Sequence, residues 1–231
     1  MLPLNILSKC PDAVKLHFLG FVAVVTTMSL ACGRTSQQPS DSASSSSTGP
    51  TETCEDPSAT AADLVFASAS ACLLLSDGSG QCWGDNTYGE LGIGVPFGSS
   101  TPRRVENLCG AMQIALSGVR ACAAMNDGSV RCWGDGFAGE TGPLGTGTDL
   151  SPIEVPGVDN VVEVSVAGPS GAVDVDGHVW LWGFQTPGGA TPTMVEGAEG
   201  VEELFLFGSL RCGRRPADWI CWGTHDGWAG E

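Results

Sequence analysis

The sequence predicts an all-β protein built from repeats, and three observations carry that prediction. A Trp-Gly pair recurs at Trp83, Trp133, Trp182 and Trp222, at spacings of 50, 49 and 40 residues. An Asp-Gly pair stands six residues ahead of the first three tryptophans, at Asp77, Asp127 and Asp176. Cysteines bracket the same turn at Cys72 and Cys82, at Cys122 and Cys132, and again at Cys212 and Cys221. Self-similarity at a period of this length marks an architecture whose units bury their faces on one another.

The aligned units read ACLLLSDGSGQCWGDNTYGELG, ACAAMNDGSVRCWGDGFAGETG and GAVDVDGHVWLWG. An apolar run, an Asp-Gly turn and a short run ending in Trp describe a β-hairpin. Cys72 and Cys82 are symmetric about Asp77, and Cys122 and Cys132 about Asp127. If each pair is directly opposed, the loops are Ser76-Asp77-Gly78 and Asn126-Asp127-Gly128, with Gly at the position that needs positive φ. Opposed Cβ atoms in such a ladder lie about 4.5–5.5 Å apart, close to disulfide reach. The third unit has Gly171 and Leu181 at these positions, so both cysteines are absent together, as a bonded pair requires. Cys212 and Cys221 have one residue fewer between them, so the turn around Arg215-Pro216-Ala217-Asp218 must differ. Each such bridge closes a short loop and contributes at most about 2.5 kcal/mol.

Ahead of the repeats lies a different kind of chain. Lys9 and Lys15 precede or flank an apolar run over residues 18–31, too short to span about 30 Å of hydrocarbon as a helix. Residues 1–31 therefore read as a signal peptide. Small residues at Ser29 and Ala31 suit ordinary cleavage, whereas Ala31-Cys32-Gly33 resembles the end of a bacterial lipobox, with Ser29 and Leu30 departing from that motif. We favour lipidation at Cys32, because residues 32–60 are rich in Ser, Thr and Pro, cannot bury a core, and suit a flexible tether. The alternative is a secreted N-terminus with Cys32 a free thiol. Of the remaining cysteines, Cys54 and Cys109 form a candidate pair by elimination, and zinc is the weaker reading, since there is no C-x₂-C and few histidines. Signal peptide and disulfides both point to an exported, oxidised location: a bacterial cell envelope, as an outer-membrane or surface lipoprotein, or secretion.

The segment CLLLSDGSGQCWGDNTYGELG resembles the repeat of the regulator of chromosome condensation family, especially its exported bacterial members with a cysteine pair around the Asp-Gly turn. The resemblance covers residues 61–231. It implies that each repeat forms one four-stranded blade of a seven-bladed β-propeller, with the Trp of Trp-Gly packed between neighbouring sheets. Tyr88-Gly89-Glu90-Leu91-Gly92 and Phe137-Ala138-Gly139-Glu140 would form tight loops against that tryptophan. For the third unit the strands fall at 161–166, 171–175, 178–182 and 192–195, and the missing tight-loop segment accounts for the short spacing. Residues 61–231 suffice for about three complete blades and part of a fourth, an incomplete seven-bladed propeller. Trp228-Ala229-Gly230-Glu231 matches Phe137-Ala138-Gly139-Glu140, so the chain stops inside a motif, and we expect a truncated array. A half-propeller that self-associates through its open ends, or an arc completed by another chain, are the alternatives.

Composition and motifs exclude several functions. With 10 basic against 26 acidic residues and a net charge of −16, no basic patch is available for nucleic acid. Gly142-Pro143-Leu144-Gly145 lacks the helix and Lys of a phosphate loop. Asp174 and Asp176 suggest a calcium loop, but a hairpin turn accounts for Asp176, so no metal is expected, nor any cofactor. Nothing resembles an activated nucleophile or an acid/base pair, so no catalytic residue is assigned. Trp180, Trp219 and Trp228 are additional to the Trp-Gly set and are candidate ligand-binding residues, inter-blade packing being the competing role. The reading is a non-catalytic, lipid-anchored protein-binding scaffold. The alternatives are a carbohydrate-binding surface lipoprotein and, weaker, an accessory domain of an extracellular enzyme. The nucleotide-exchange activity of the nuclear family member is not carried over.

Overall fold

Fifteen strands form four antiparallel meanders in chain order, in a computed structural model that describes residues 54, 56–145, 147–208 and 210–223. The first sheet holds β1 (Ala61–Ala67), β2 (Ser70–Leu75), β3 (Gly80–Gly84) and β4 (Ser99–Arg104). The second holds β5 (Ala111–Leu116), β6 (Arg120–Met125), β7 (Val130–Asp135) and β8 (Thr148–Glu154). The third holds β9 (Val161–Val166), β10 (Pro169–Asp174), β11 (Val179–Gly183) and a short β12 (Thr193–Met194). The last has β13 (Glu203–Phe207), β14 (Leu210–Arg214) and β15 (Trp219–Gly223). These are three complete propeller blades and a three-stranded part of a fourth. No helix among the described residues is long and apolar enough to cross a membrane. Residues 1–31, expected to be a signal peptide, and Cys32, expected to be lipidated, lie outside the described residues.

The turn chemistry fixes the register of each hairpin. Cys72 faces Cys82 and Cys122 faces Cys132 across the β2/β3 and β6/β7 pairs. The Leu75 N–H donates to the Ser79 carbonyl, and the Gly78 N–H donates back to the Leu75 carbonyl, which closes a three-residue loop. Gly78, Gly128 and Gly177 stand at φ +75°, +84° and +79°, where a side chain would be strained. The carboxylates of Asp77 and Asp127 accept the N–H and hydroxyl of the serine two residues on and tie down the first two turns. In the fourth blade the Arg215 N–H donates to the Asp218 carbonyl, a tighter turn than the others.

Among the described residues there are four disulfides, Cys54–Cys109, Cys72–Cys82, Cys122–Cys132 and Cys212–Cys221. That number belongs to an oxidising environment. The three hairpin bridges have Cα atoms 4.1 Å apart, the separation of directly opposed residues.

Period-2 alternation gives each sheet two apolar faces, a forward face carrying the cysteine pair and a backward face carrying the Trp of Trp-Gly. The core is the set of junctions between them. Cys72, Cys82 and Leu74 of the first blade bury against Ile114, Met125 and Trp133 of the second. Cys122, Cys132 and Val130 bury against Val164, Ala172 and Trp182 of the third. In the third blade Val173, Val179 and Leu181 meet Val201 and Leu204, with Trp222 packed alongside.

Leu181 explains the paired loss of cysteines in the third unit. It faces Gly171 across the ladder, and a Cβ on Gly171 would lie 2.8 Å from the Leu181 side chain and 2.9 Å from that of Leu204. One leucine thus fills the space of a disulfide only if its neighbour has no side chain. Gly171→Ala is expected to cost about 1–3 kcal/mol by overpacking, read as a lowered denaturant midpoint. The double change Gly171→Cys/Leu181→Cys restores the opposed pair and should oxidise when the protein is made in an oxidising compartment, seen as two fewer free thiols by mass spectrometry.

Candidate functional site

The first two junctions are each locked by a hydrogen bond that joins consecutive repeats. The Trp133 indole N–H donates to the Glu90 carbonyl at 2.9 Å, and the Trp182 indole N–H donates to the Glu140 carbonyl at the same distance. The tight loop therefore packs on the tryptophan of the following repeat. Ser170 adds a second bond to the Glu140 carbonyl through its hydroxyl, 2.8 Å away. The loop holds itself in place: the Leu91 N–H donates to Asn86 Oδ1, and the Tyr88 N–H donates to Glu90 Oε2. Glu140 is set in the same way by the Ala138 N–H, and its carboxylate also faces the buried Arg120 guanidinium at 3.5 Å. Arg120 in turn donates to the carbonyls of Ala167 and Gly168 in the third blade.

Burial pushes the Glu90 carboxyl above its ordinary value, despite the backbone bonds that favour the anion. The folded chain then holds this proton at pH values where the unfolded chain has released it. Stability attributable to Glu90 should fall as pH rises from about 4.5 through the folded value. Glu90→Gln is expected to remove that slope, and urea melts across the acid range of both proteins measure it.

The three candidate tryptophans have different fates. Trp180 is half-buried beside the second junction, and its indole N–H donates to Asp174 Oδ2 at 3.0 Å. Trp228 lies outside the described residues. Trp219 is 58% exposed, with its ring 5.2 Å from that of Phe205.

Register places Trp219 on a forward blade face. Phe205, Cys212 and Cys221 are opposed across β13, β14 and β15, and residues two apart share a face. Phe207, Leu210 and Trp219 therefore lie with them, and they are 72%, 55% and 58% exposed. The equivalents of Trp219 in the second and third blades, Val130 and Val179, are fully buried under the next blade. Among the described residues no blade packs on this face. At the other end, Leu64 and Phe66 of β1 are also exposed, on the backward face that carries Trp83. Phe205, Phe207 and Leu210 were not singled out from the sequence, although the alternation from Cys212 and Cys221 would have marked them.

Asp174, Asp176 and His178 bring ligand-type atoms within 4.8 Å of one another. The Asp174 carboxylate there already accepts the N–H groups of Asp176 and His178 on Oδ1, and Trp180 and the His178 ring on Oδ2. Burial raises the Asp174 carboxyl, yet the bonds from Trp180 and His178 outweigh it and leave the group below its ordinary value. Asp174 thus anchors this turn, the task that Asp77 and Asp127 perform in the first two.

No family model matches the chain, and no curated protein matches it. Solved structures do. Human WBSCR16 aligns with TM-score 0.64 and 18% identity over 73% of this chain and 48% of its own. Yeast RCC1 (Prp20), solved with Kap60 bound, aligns with TM-score 0.61 and 16% identity over 72% and 44%. Prp20p from Saccharomyces cerevisiae, described with its binding to Gsp1p and histones, aligns with TM-score 0.51 and 18% identity over 59% and 38%. The chain spans less than half the length of each of these structures. At such identities the likeness establishes the fold: the described residues form blades of an RCC1-like β-propeller.

Proposed function

We propose that this chain is an exported, lipid-anchored, non-catalytic scaffold that binds protein through a propeller face. The observation that carries the reading is the forward face on which, among the described residues, Phe205, Phe207, Leu210 and Trp219 are exposed together. A contiguous apolar surface of this kind marks an interaction site in a soluble domain. Its natural complement is a backward blade face, and the chain presents one, bearing Leu64, Phe66 and Trp83. A second copy is accordingly the occupant we assign, in a head-to-tail contact that repeats the internal junctions. Protein binding also features in structurally similar propellers, which bind Kap60, and Gsp1p and histones. The disulfides support export, and residues 32–60 supply a tether from a lipidated Cys32.

Light scattering coupled to size exclusion tests the face on the chain as exported, beside Phe207→Glu/Trp219→Glu. A discrete oligomer that reverts to monomer in the variant is the expected result. A wild-type monomer at all concentrations, with tryptophan fluorescence that shifts on adding soluble glycan, would overturn it in favour of the carbohydrate reading. Radiolabelled palmitate incorporation, lost in Cys32→Ser, tests the anchor separately.

A further inference from the structure

The third junction differs from the other two in one chemical respect. Trp133 and Trp182 each donate to a glutamate carbonyl of the preceding repeat, but the third repeat has no Gly-Glu loop between Gly183 and Thr193. Trp222, at the same position, has a buried indole N–H with no hydrogen-bond partner. Arg211 is opposed to Trp222 across β14 and β15 and occupies the place of Ser170. Ser170 spends its hydroxyl on the Glu140 carbonyl. Arg211 is only 5% exposed, donates through Nη2 to the Gln185 carbonyl at 2.7 Å, and leaves its buried Nε–H unpartnered.

Charge sharpens the contrast. The other strongly buried guanidinium, Arg120, faces the Glu140 carboxylate, and Arg214 is paired with Glu202 and Glu203. Arg211 has no carboxylate opposite it among the described residues, in a chain of net charge −16. Burial without a counter-ion lowers its pKa. Two adjacent buried donors, one cationic, thus converge where the earlier junctions hold a glutamate loop. Buried unpaired donors are costly, and a cation without a partner more so.

We propose that Arg211 and Trp222 form an acceptor site for a Gly-Glu turn supplied by another polypeptide. The turn's backbone carbonyl takes the Trp222 indole N–H, as Glu90 and Glu140 do for Trp133 and Trp182. Its carboxylate takes the Arg211 guanidinium, as Glu140 does for Arg120. The donors are buried, so the incoming turn displaces the segment at Gln185, whose single carbonyl is a partial substitute. This site lies on the backward face of the fourth blade and does not depend on the forward face.

The test uses the exported chain with ¹⁵N-labelled indoles and a cyclised peptide copying residues 86–94, Asn-Thr-Tyr-Gly-Glu-Leu-Gly-Ile-Gly. Saturable binding that moves the Trp222 indole signal is expected, weakened about ten-fold or more when the peptide carries Gln for Glu, and lost in Arg211→Gln. Near-UV circular dichroism of Arg211→Gln shows whether that variant keeps its packed tryptophans, and Arg211→Lys should retain part of the affinity if charge matters. A Trp222 signal indifferent to the peptide at millimolar concentration would overturn the proposal, as would equal binding by Arg211→Gln. Equal binding of acetate and peptide would overturn the turn-specific form, because a bare carboxylate would then suffice.

Discussion

Replacing Trp133 by Phe is expected to destabilise the chain by about 1–3 kcal/mol, whereas the same change at Trp222 should fall within about 1 kcal/mol of neutral. Both indoles pack in junctions, but only one has somewhere to send its N–H. Trp133→Phe removes the indole N–H that the buried Glu90 carbonyl accepts. Trp182→Phe should fall between them, because Ser170 still donates to the Glu140 carbonyl. Trp222→Phe loses some packing but also removes a buried unpaired N–H, and the two effects offset. Trp133→Ala adds a cavity in a fully buried position, and a cost of about 3–5 kcal/mol is expected. Urea denaturation of the four variants, followed by near-UV circular dichroism, ranks them. An equal cost at Trp133 and Trp222 would refute the view that the tight loop, and not packing alone, locks the junctions.

The second large effect belongs to the Cys54–Cys109 bridge. It closes a span of 55 residues, against 9 or 10 for the hairpin bridges. On the chain-entropy estimate a loop of that size contributes about 4 kcal/mol, against about 2.5 kcal/mol for each short one. It also attaches the segment before β1 to the lead-in of the second blade, and the Arg104 guanidinium at the end of β4 donates to the Cys54 carbonyl. Cys54→Ser/Cys109→Ser should therefore lower thermal stability more than Cys72→Ser/Cys82→Ser, provided the latter pair's cavity is small. Differential scanning calorimetry decides the order, and peptide mapping under non-reducing conditions verifies the pairings first.

Much of the blade was legible in the sequence because its determinants are local. A hairpin register needs only a glycine able to take positive φ and opposed positions ten residues apart, so the symmetry of Cys72 and Cys82 about Asp77 suffices. The alternation of Trp180, Leu181 and Trp182 could not be decoded so simply. Leu181 and Trp182 are both buried, in different junctions, because each sheet is covered on its two sides. Trp180 could not be assigned between ligand binding and inter-blade packing, because its partner Asp174, at the end of β10, is brought to it only by the folded hairpin.

The sequence by itself determined the repeat, its turns and its opposed cysteines, since each is encoded within about twenty consecutive residues. Only the tertiary structure decided which tryptophan meets which glutamate, that Leu181 and Leu204 together close over Gly171, and that Trp219 occupies a junction position exposed among the described residues. It also showed that Trp222 and Arg211 hold unpaired donors where the third repeat lacks its loop. The tryptophan–glutamate contacts join residues 42 and 43 positions apart, and the energies of these outcomes come from how one sheet stacks on the next, which no local pattern records.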